Sequence, residues 1–234
     1  MKKEQCLLRF ILSVRTSLPT KLLFLLILFS HPAQSQGLAI ITSTVAKKGE
    51  NSFAHSLEEI HKGDRWGWHS GKIGKATATS TLGSSKVAGY GVKNLHDLDL
   101  ATAWIEGASG YGARQSFSFV LSAEEPFNYK NFNGVIEIFN GYCKSESIWK
   151  ANSRVKKLKM YYEDIPVCLV ELADTWQYQS FDIGHFFKSY RYPDAPFQLS
   201  NGSSLKFEII EVYPGEKYKD VAVSEFVTPS YGGG

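Results

Sequence analysis

Beyond Ala76 the chain alternates apolar and polar positions with a period of two. Gln115 to Leu121 puts Phe117, Phe119 and Leu121 on one face and Ser116 and Ser118 on the other, the pattern of a half-buried strand. Similar short segments run over 134–139, 157–162, 167–172, 176–183, 205–212 and 221–227. In 157–162, Leu158, Met160 and Tyr162 oppose lysines. Between the segments stand turn formers: Asn133-Gly134, Asn140-Gly141, Asp164-Ile165-Pro166, Tyr192-Pro193-Asp194, Asn201-Gly202 and Pro214-Gly215. Many short strands with no ten-residue amphipathic helix among them predict an all-β protein, an antiparallel sandwich or jelly roll. Fifteen Phe, twelve Tyr and five Trp suit its core.

The first 35 residues follow another pattern. Lys2, Lys3, Arg9, Arg15 and Lys21 precede an uninterrupted apolar run from Leu22 to Phe29, and Ala33-Gln34-Ser35 follows. This reads as a signal peptide, with export as the consequence. Arg15 and Lys21 break the only stretch that approaches the ~20 apolar residues a membrane-spanning helix needs. No transmembrane segment is expected after cleavage, and a periplasmic, secreted or cell-surface location follows. Residues 36–75 are poorly periodic and are expected to form an N-terminal extension packed on the main body. They contain one short helical candidate, Ser56 to His61, and the Trp66-Gly67-Trp68 stretch. The sandwich is expected over 76–227 and a flexible tail over 228–234.

Charge then narrows the partners. The chain has 26 Lys and Arg against 23 Asp and Glu. Five of those bases and one of those acids, Glu4, lie in the leader, so the remainder is close to neutral. The basic footprint of a nucleic-acid binder is missing. Lys156, Lys157 and Lys159 read as a solvated strand face. Cys6 belongs to the leader, which leaves Cys143 and Cys168 either as a disulfide or as two buried small residues.

Candidate chemistry gathers in loops. Asp97 and Asp99 can accept backbone N–H groups and fasten a loop, or can offer oxygen to a calcium ion. Fastening is the simpler reading, since calcium takes 6 to 8 oxygens that the sequence does not place. No cofactor is required. Glu106-Gly107 opens a glycine turn through Gly112. Gly107, Gly110 and Gly112 do not make a phosphate loop, because the spacing is wrong and a strand follows where a helix is needed. Asn140 and Tyr142, and Asn152 and Arg154 after Trp149, offer the amide, guanidinium and aromatic groups that hold a sugar; the same residues also make a structural corner. His55 and His61 lie six apart and face away from each other on a helix. Neither HExxH nor a GxSxG nucleophile motif is present. Glu106 with Asp220 is the one carboxylate pair that a hydrolytic reading can name.

The ordered set Asn94-Leu95-x-Asp97-x-Asp99, Thr102-Ala103-Trp104-Ile105-Glu106-Gly107, Gly110-x-Gly112, Asn140-Gly141-Tyr142, Asn152-Ser153-Arg154-x-Lys156, Val212-Tyr213-x-Gly215 and Asp220-Val221-Ala222-Val223-Ser224-Glu225 resembles the discoidin-like domain attached to bacterial NAD glycohydrolase toxins. That module is described as a translocation or glycan-binding domain. The resemblance implies a galactose-binding-domain-like jelly roll that binds carbohydrate or membrane surfaces through loops at one end. It does not import NAD hydrolysis, which belongs to a separate domain. Two departures stand out: Leu98 replaces a glycine between the acids, and Arg114-Gln115 replaces a Gly-Glu pair. The sequence thus points to an exported, non-catalytic recognition module for a glycan or another cell-surface ligand. Asp97, Asp99, Glu106, Asn140, Tyr142, Asn152 and Arg154 shape or contact its site. The alternative is a structural or protein-docking domain of the cell envelope, with Trp66 and Trp68 as its apolar patch.

Overall fold

The computed structural model describes residues 37–45, 73–83, 89–121, 132 and 134–227. The leader, the Ser56–His61 helix candidate, Trp66, Trp68 and the terminal glycines lie outside the described residues.

Among the described residues eleven strands form two sheets. They are β1 (Ala39–Thr42), β2 (Thr44–Val45), β3 (Ile73–Ala78), β4 (Trp104–Ile105), β5 (Ser116–Leu121), β6 (Val135–Asn140), β7 (Arg154–Tyr162), β8 (Ile165–Glu171), β9 (Gln179–Asp182), β10 (Ser204–Tyr213) and β11 (Ala222–Val227). A six-stranded sheet has the order β1-β8-β7-β10-β5-β3, and a five-stranded sheet the order β2-β9-β6-β11-β4. All pairings are antiparallel except β1 with β8, which is parallel. The architecture is a β-sandwich of the jelly-roll, discoidin-like type. One six-residue helix, α1 (Glu146–Ala151), is started by Ser145, whose hydroxyl accepts the Ile148 N–H at 3.3 Å.

Alternation along each strand builds the core. Phe117, Phe119 and Phe207 project from the six-stranded sheet onto Phe226 of the other, with ring centroids 5.0, 5.5 and 4.6 Å from it. All four rings are buried, and such edge and stacked contacts add to the gain from area burial. Leu158 and Met160 are fully buried, as their alternation with lysines requires. Trp104 is also fully buried, and its indole N–H donates to the Ser80 carbonyl at 3.1 Å.

Two elements differ from the sequence expectation. Residues 39–45 were read as part of an extension outside the sandwich; they supply a strand to each sheet, and β3 begins at Ile73, ahead of 76. The reason is position: β1 is an edge strand with most of its side chains in solvent, so it carries no period-two signal. The turn between β7 and β8 falls at Glu163-Asp164, with φ 47° and 62°, not at Asp164-Ile165-Pro166. Two consecutive left-handed residues give a turn whose twist matches its hairpin, and Ile165 and Pro166 then belong to β8. Of the two alternatives for Cys143 and Cys168, the structure has the second: both are unpaired and buried, and burial pushes each thiol up to about 12.

Candidate functional site

The first group of candidate residues fastens a loop to β11. Within residues 97–102, the Asp99 N–H donates to Asp97 Oδ1 (3.1 Å) and the Ala101 N–H to Asp99 Oδ1 (2.8 Å). The Thr102 hydroxyl lies 3.0 and 2.8 Å from the two Asp97 carboxylate oxygens. Short acids that close on their own backbone make a loop self-supporting. Side chains then tie it down. Glu225 Oε1 accepts the Asp99 N–H (3.0 Å), the Ser224 hydroxyl donates to the Thr102 carbonyl (3.0 Å), and the Tyr142 hydroxyl donates to the Ala101 carbonyl (3.0 Å). Burial, with Tyr90 and Asp99 nearby, raises the Tyr142 phenol and keeps it protonated as a donor.

Leu98 holds φ 63° in this loop, and Arg114 holds φ 69° after the glycine turn. Both are positions where the resemblance implies glycine, and both hold left-handed backbone with a side chain in place.

Glu225, which the sequence marks only as the end of the ordered motif set and not as a site residue, is the buried counterpart of Asp97. Its residue is fully buried, and Oε2 has no hydrogen-bond partner. Burial first, and the neighbouring Asp97 carboxylate second, push its carboxyl up to about 9. A buried orphan oxygen facing a second acid calls either for a proton or for a cation. The donor chemistry fits a hard oxygen-seeking ion such as calcium: Asp97 and Glu225 would hold it, and the ion would supply the charge that lets both acids stay ionised. Among the described residues no three or more His, Cys, Asp or Glu side chains converge, so its remaining oxygens would come from carbonyls and water. The available signal was an acid inside an otherwise apolar strand, Val221 to Val227.

The second group braces the loops before and after β11's start. Glu106 is fully buried. Its Oε2 accepts the Ala108 N–H at 2.7 Å and its Oε1 the Val221 N–H at 3.4 Å, so one carboxylate joins loop 106–112 to the end of loop 214–220. Burial raises its pKa, the two N–H groups oppose that rise, and the Asp220 charge adds to it. Gly112, at φ 64°, lies directly over this carboxylate; a Cβ there would sit 2.9 Å from it. Both Glu106 oxygens accept backbone N–H groups, and Asp220 lies near enough for its charge to act on Glu106.

Asn140, Asn152 and Arg154 form the corner beneath. Asn140 exchanges two hydrogen bonds with Val155, donating to its carbonyl (2.7 Å) and accepting its N–H (3.0 Å). Asn152 donates to the Ile148 carbonyl at 2.9 Å, closing α1. Arg154 grips Asp174 with two parallel bonds of 2.9 and 3.0 Å, donates to the Asn152 carbonyl at 2.9 Å, and lies 4.5 Å from the centre of the Trp149 ring. Gly141, at φ 101°, allows the indole to approach; a Cβ would meet it at 2.5 Å. Asn140, Asn152 and Arg154 thus make a structural corner, with most of their polar groups directed at the chain's own backbone and at Asp174. Ser153 continues the brace: its hydroxyl donates to the Tyr218 carbonyl and accepts the Gly215 N–H, each at 3.0 Å.

What these loops present to solvent was not among the candidates. Tyr111 and Tyr218 are 41% and 43% exposed. Lys219 Nζ stands 5.6 Å from the Tyr111 ring and Lys217 Nζ 5.0 Å from the Tyr218 ring. Their signal in the sequence was an aromatic beside glycine and an aromatic between lysines. The histidines are elsewhere. His96 packs edge-on to Phe119 at 6.3 Å with its pKa lowered mainly by burial, and the His185 ring lies tilted against Phe186, their centroids 3.8 Å apart. His55, His61 and His69 lie outside the described residues.

Two facing sheets with fastened end loops define a discoidin-like domain. The chain belongs to the NAD glycohydrolase translocation F5/8 type C domain family, which it matches over residues 67–228. No curated protein sequence matches it. Among solved structures, the CBM32-1 and CBM32-2 domains of ZmpB from Clostridium perfringens align over 85% of this chain and 43% of theirs, with a TM-score of 0.50 and 10% identity. This chain therefore spans less than half of that two-domain structure. CpGH89CBM32-5 from the same organism, solved in complex with GalNAc-β-1,3-galactose, aligns over 67% of this chain and 94% of its own at TM-score 0.42 and 14% identity. The arabinofuranosyltransferase AftD from Mycobacteria aligns over 68% of this chain and 11% of its own at TM-score 0.44 and 15% identity. These likenesses concern the fold. Among the described residues no helix is long and apolar enough to cross a membrane.

Proposed function

We propose that the protein is an exported, non-catalytic recognition module that binds a glycan or another cell-surface ligand through loops at one end of the sandwich. The observation that carries this reading is the fastening of loops 106–112 and 214–220 by one buried carboxylate, Glu106, with Tyr111 and Tyr218 exposed above it beside Lys217 and Lys219. A pre-ordered surface spends little binding energy on ordering itself, and exposed aromatic faces stack on sugar rings while ammonium groups donate to hydroxyls or acids. Asp97, Asp99, Glu106, Asn140, Tyr142, Asn152 and Arg154 act in this reading as the frame that shapes the surface. The signal-peptide pattern of residues 1–35 supports export, and membership of the NAD glycohydrolase translocation F5/8 type C domain family supports a non-catalytic module.

The test is a glycan array probed with purified protein whose fold has been verified by circular dichroism. Reproducible binding to a related group of glycans supports the reading. A folded protein that binds none contradicts it and favours a protein-docking role in the envelope, which crosslinking in intact cells would reveal.

A further inference from the structure

A second surface feature lies on the six-stranded sheet, where β7, β8 and β10 meet the β1–β2 crossing. There β7 and β10 lose register twice within a few residues: Ile209 pairs with Leu158, Glu211 with Lys157 and Val212 with Val155, so that Ile210 and Lys156 are each left over. Bulges re-aim side chains. Here the paired irregularity leaves both Lys156 and Lys157 out of the core, between buried Val155 and buried Leu158. Both ammonium groups then reach one carboxylate. Lys156 and Lys157 each lie 2.8 Å from Glu211, and Lys157 also lies 3.1 Å from Glu171.

The same place holds a cleft of about 240 Å³. Its far wall is the crossing from β1 to β2, which is held by the Ser43 N–H on the Glu171 carbonyl (2.9 Å) and the Ser43 hydroxyl on the buried Gln179 (2.7 Å). Tyr213 is fixed at its side by a 3.0 Å bond from its hydroxyl to the Leu172 carbonyl. The two flanking lysines hold the Glu211 carboxyl down at about 2, so it is ionised throughout the neutral range.

We propose that this cleft, walled by Thr42, Lys156, Lys157, Glu171, Glu211 and Tyr213, is a carbohydrate site that takes one neutral sugar residue. The charges choose the class. Two ammonium groups face two carboxylates, so the cleft has no net charge to attract a phosphate, a nucleotide or a polyanion. It does offer fixed acceptors on the carboxylates and fixed donors on the lysines, side by side, which is what adjacent hydroxyls of a sugar need. The Tyr213 ring and the hydroxyl-bearing Thr42 supply the apolar and polar flanks. The lining residues are distinct from those of loops 106–112 and 214–220, with Tyr213 directly preceding the second loop, so the inference goes beyond the loop reading. With both occupied, the domain would be bivalent toward a branched or repeating glycan.

The experiment is amide chemical-shift mapping of the purified, 15N-labelled protein, titrated with methyl β-D-galactoside and with methyl N-acetyl-β-D-glucosaminide into the millimolar range where single sugars bind. The expected result is saturable shifts at Ser43, Lys156, Lys157, Glu171 and Ala173. Glu211→Gln, which keeps the size of the side chain but removes its charge, weakens them about tenfold. Because Glu211→Gln also loosens the lysines, Thr42→Val on the opposite wall is measured beside it and is expected to weaken binding with the ion pairs intact. Shifts confined to loops 106–112 and 214–220 would overturn the cleft and leave the loop reading standing. Shifts at the cleft alone would do the reverse. Cleft shifts that neither variant weakens, or no shifts at all, would overturn the proposal.

Discussion

Glu225 Oε1 accepts the backbone N–H of Asp99 at 3.0 Å, joining residues 126 positions apart, while its other oxygen is buried without a partner beside Asp97. The loop that carries Asp97 and Asp99 is thus held by a carboxyl that is itself uneasy when ionised. That relationship makes loop order depend on pH and on cations.

The pH dependence follows from the direction of the shift. The Glu225 pKa rises from 4.5 in the unfolded chain to about 9 in the fold, so the folded state holds a proton the unfolded state has lost. The stability linked to this group is fully present below pH 4.5 and declines as pH rises through about 9. In chelator, the melting temperature is expected to fall between pH 5 and pH 9. Glu225→Gln, which cannot ionise and keeps an acceptor for Asp99, is expected to flatten that slope in thermal melts followed by circular dichroism.

Calcium should act in the opposite sense. If Asp97 and Glu225 hold a cation, millimolar calcium raises the melting temperature at pH 8 in proportion to the logarithm of its concentration, and Asp97→Asn removes the effect. Calorimetric scans in calcium and in chelator check this. Equal melting temperatures in the two would leave the proton as the only counterpart to Asp97.

The two departures from the family pattern give a stability prediction. Leu98 and Arg114 sit at φ 63° and 69°, where a side chain costs roughly 1–2 kcal/mol and glycine gives back part of that in unfolded-state entropy. Leu98→Gly is expected to raise stability by up to about 1 kcal/mol. The urea midpoint reads the change directly, and the partly exposed Leu98 side chain leaves no core cavity behind.

Asn140→Ala tests the corner. It removes both partners of Val155 in a fully buried position, so an N–H and a carbonyl lose their hydrogen bonds at about 1–3 kcal/mol each. A loss of about 2–5 kcal/mol in equilibrium unfolding is expected.

Much of the sandwich was legible because its central strands bury one face each. Phe117, Phe119 and Leu121, or Leu158 and Met160, announce the core by alternation alone. Edge elements give no such signal: most of β1 faces solvent, and β4 is two residues long. The site was legible as a set of positions but not as roles. Asn140, Asn152 and Arg154 look the same in sequence whether the amide or guanidinium faces a ligand or the chain's own carbonyls, and only the fold closes them on Val155, Ile148 and Asp174. Glu225 was hidden for the complementary reason. Its significance lies in Asp97, over a hundred residues away, and pairings at that distance leave no local pattern.

The central claim is that braced end loops, and the groups exposed upon them, confer the activity. Its most direct measurement compares wild type with the Tyr111→Ala, Tyr218→Ala double variant on the glycans that bind wild type, with a thermal melt of each. The account predicts unchanged melting and binding weakened at least about tenfold, as losing two stacked rings implies. Full binding by a double variant as stable as wild type would contradict it.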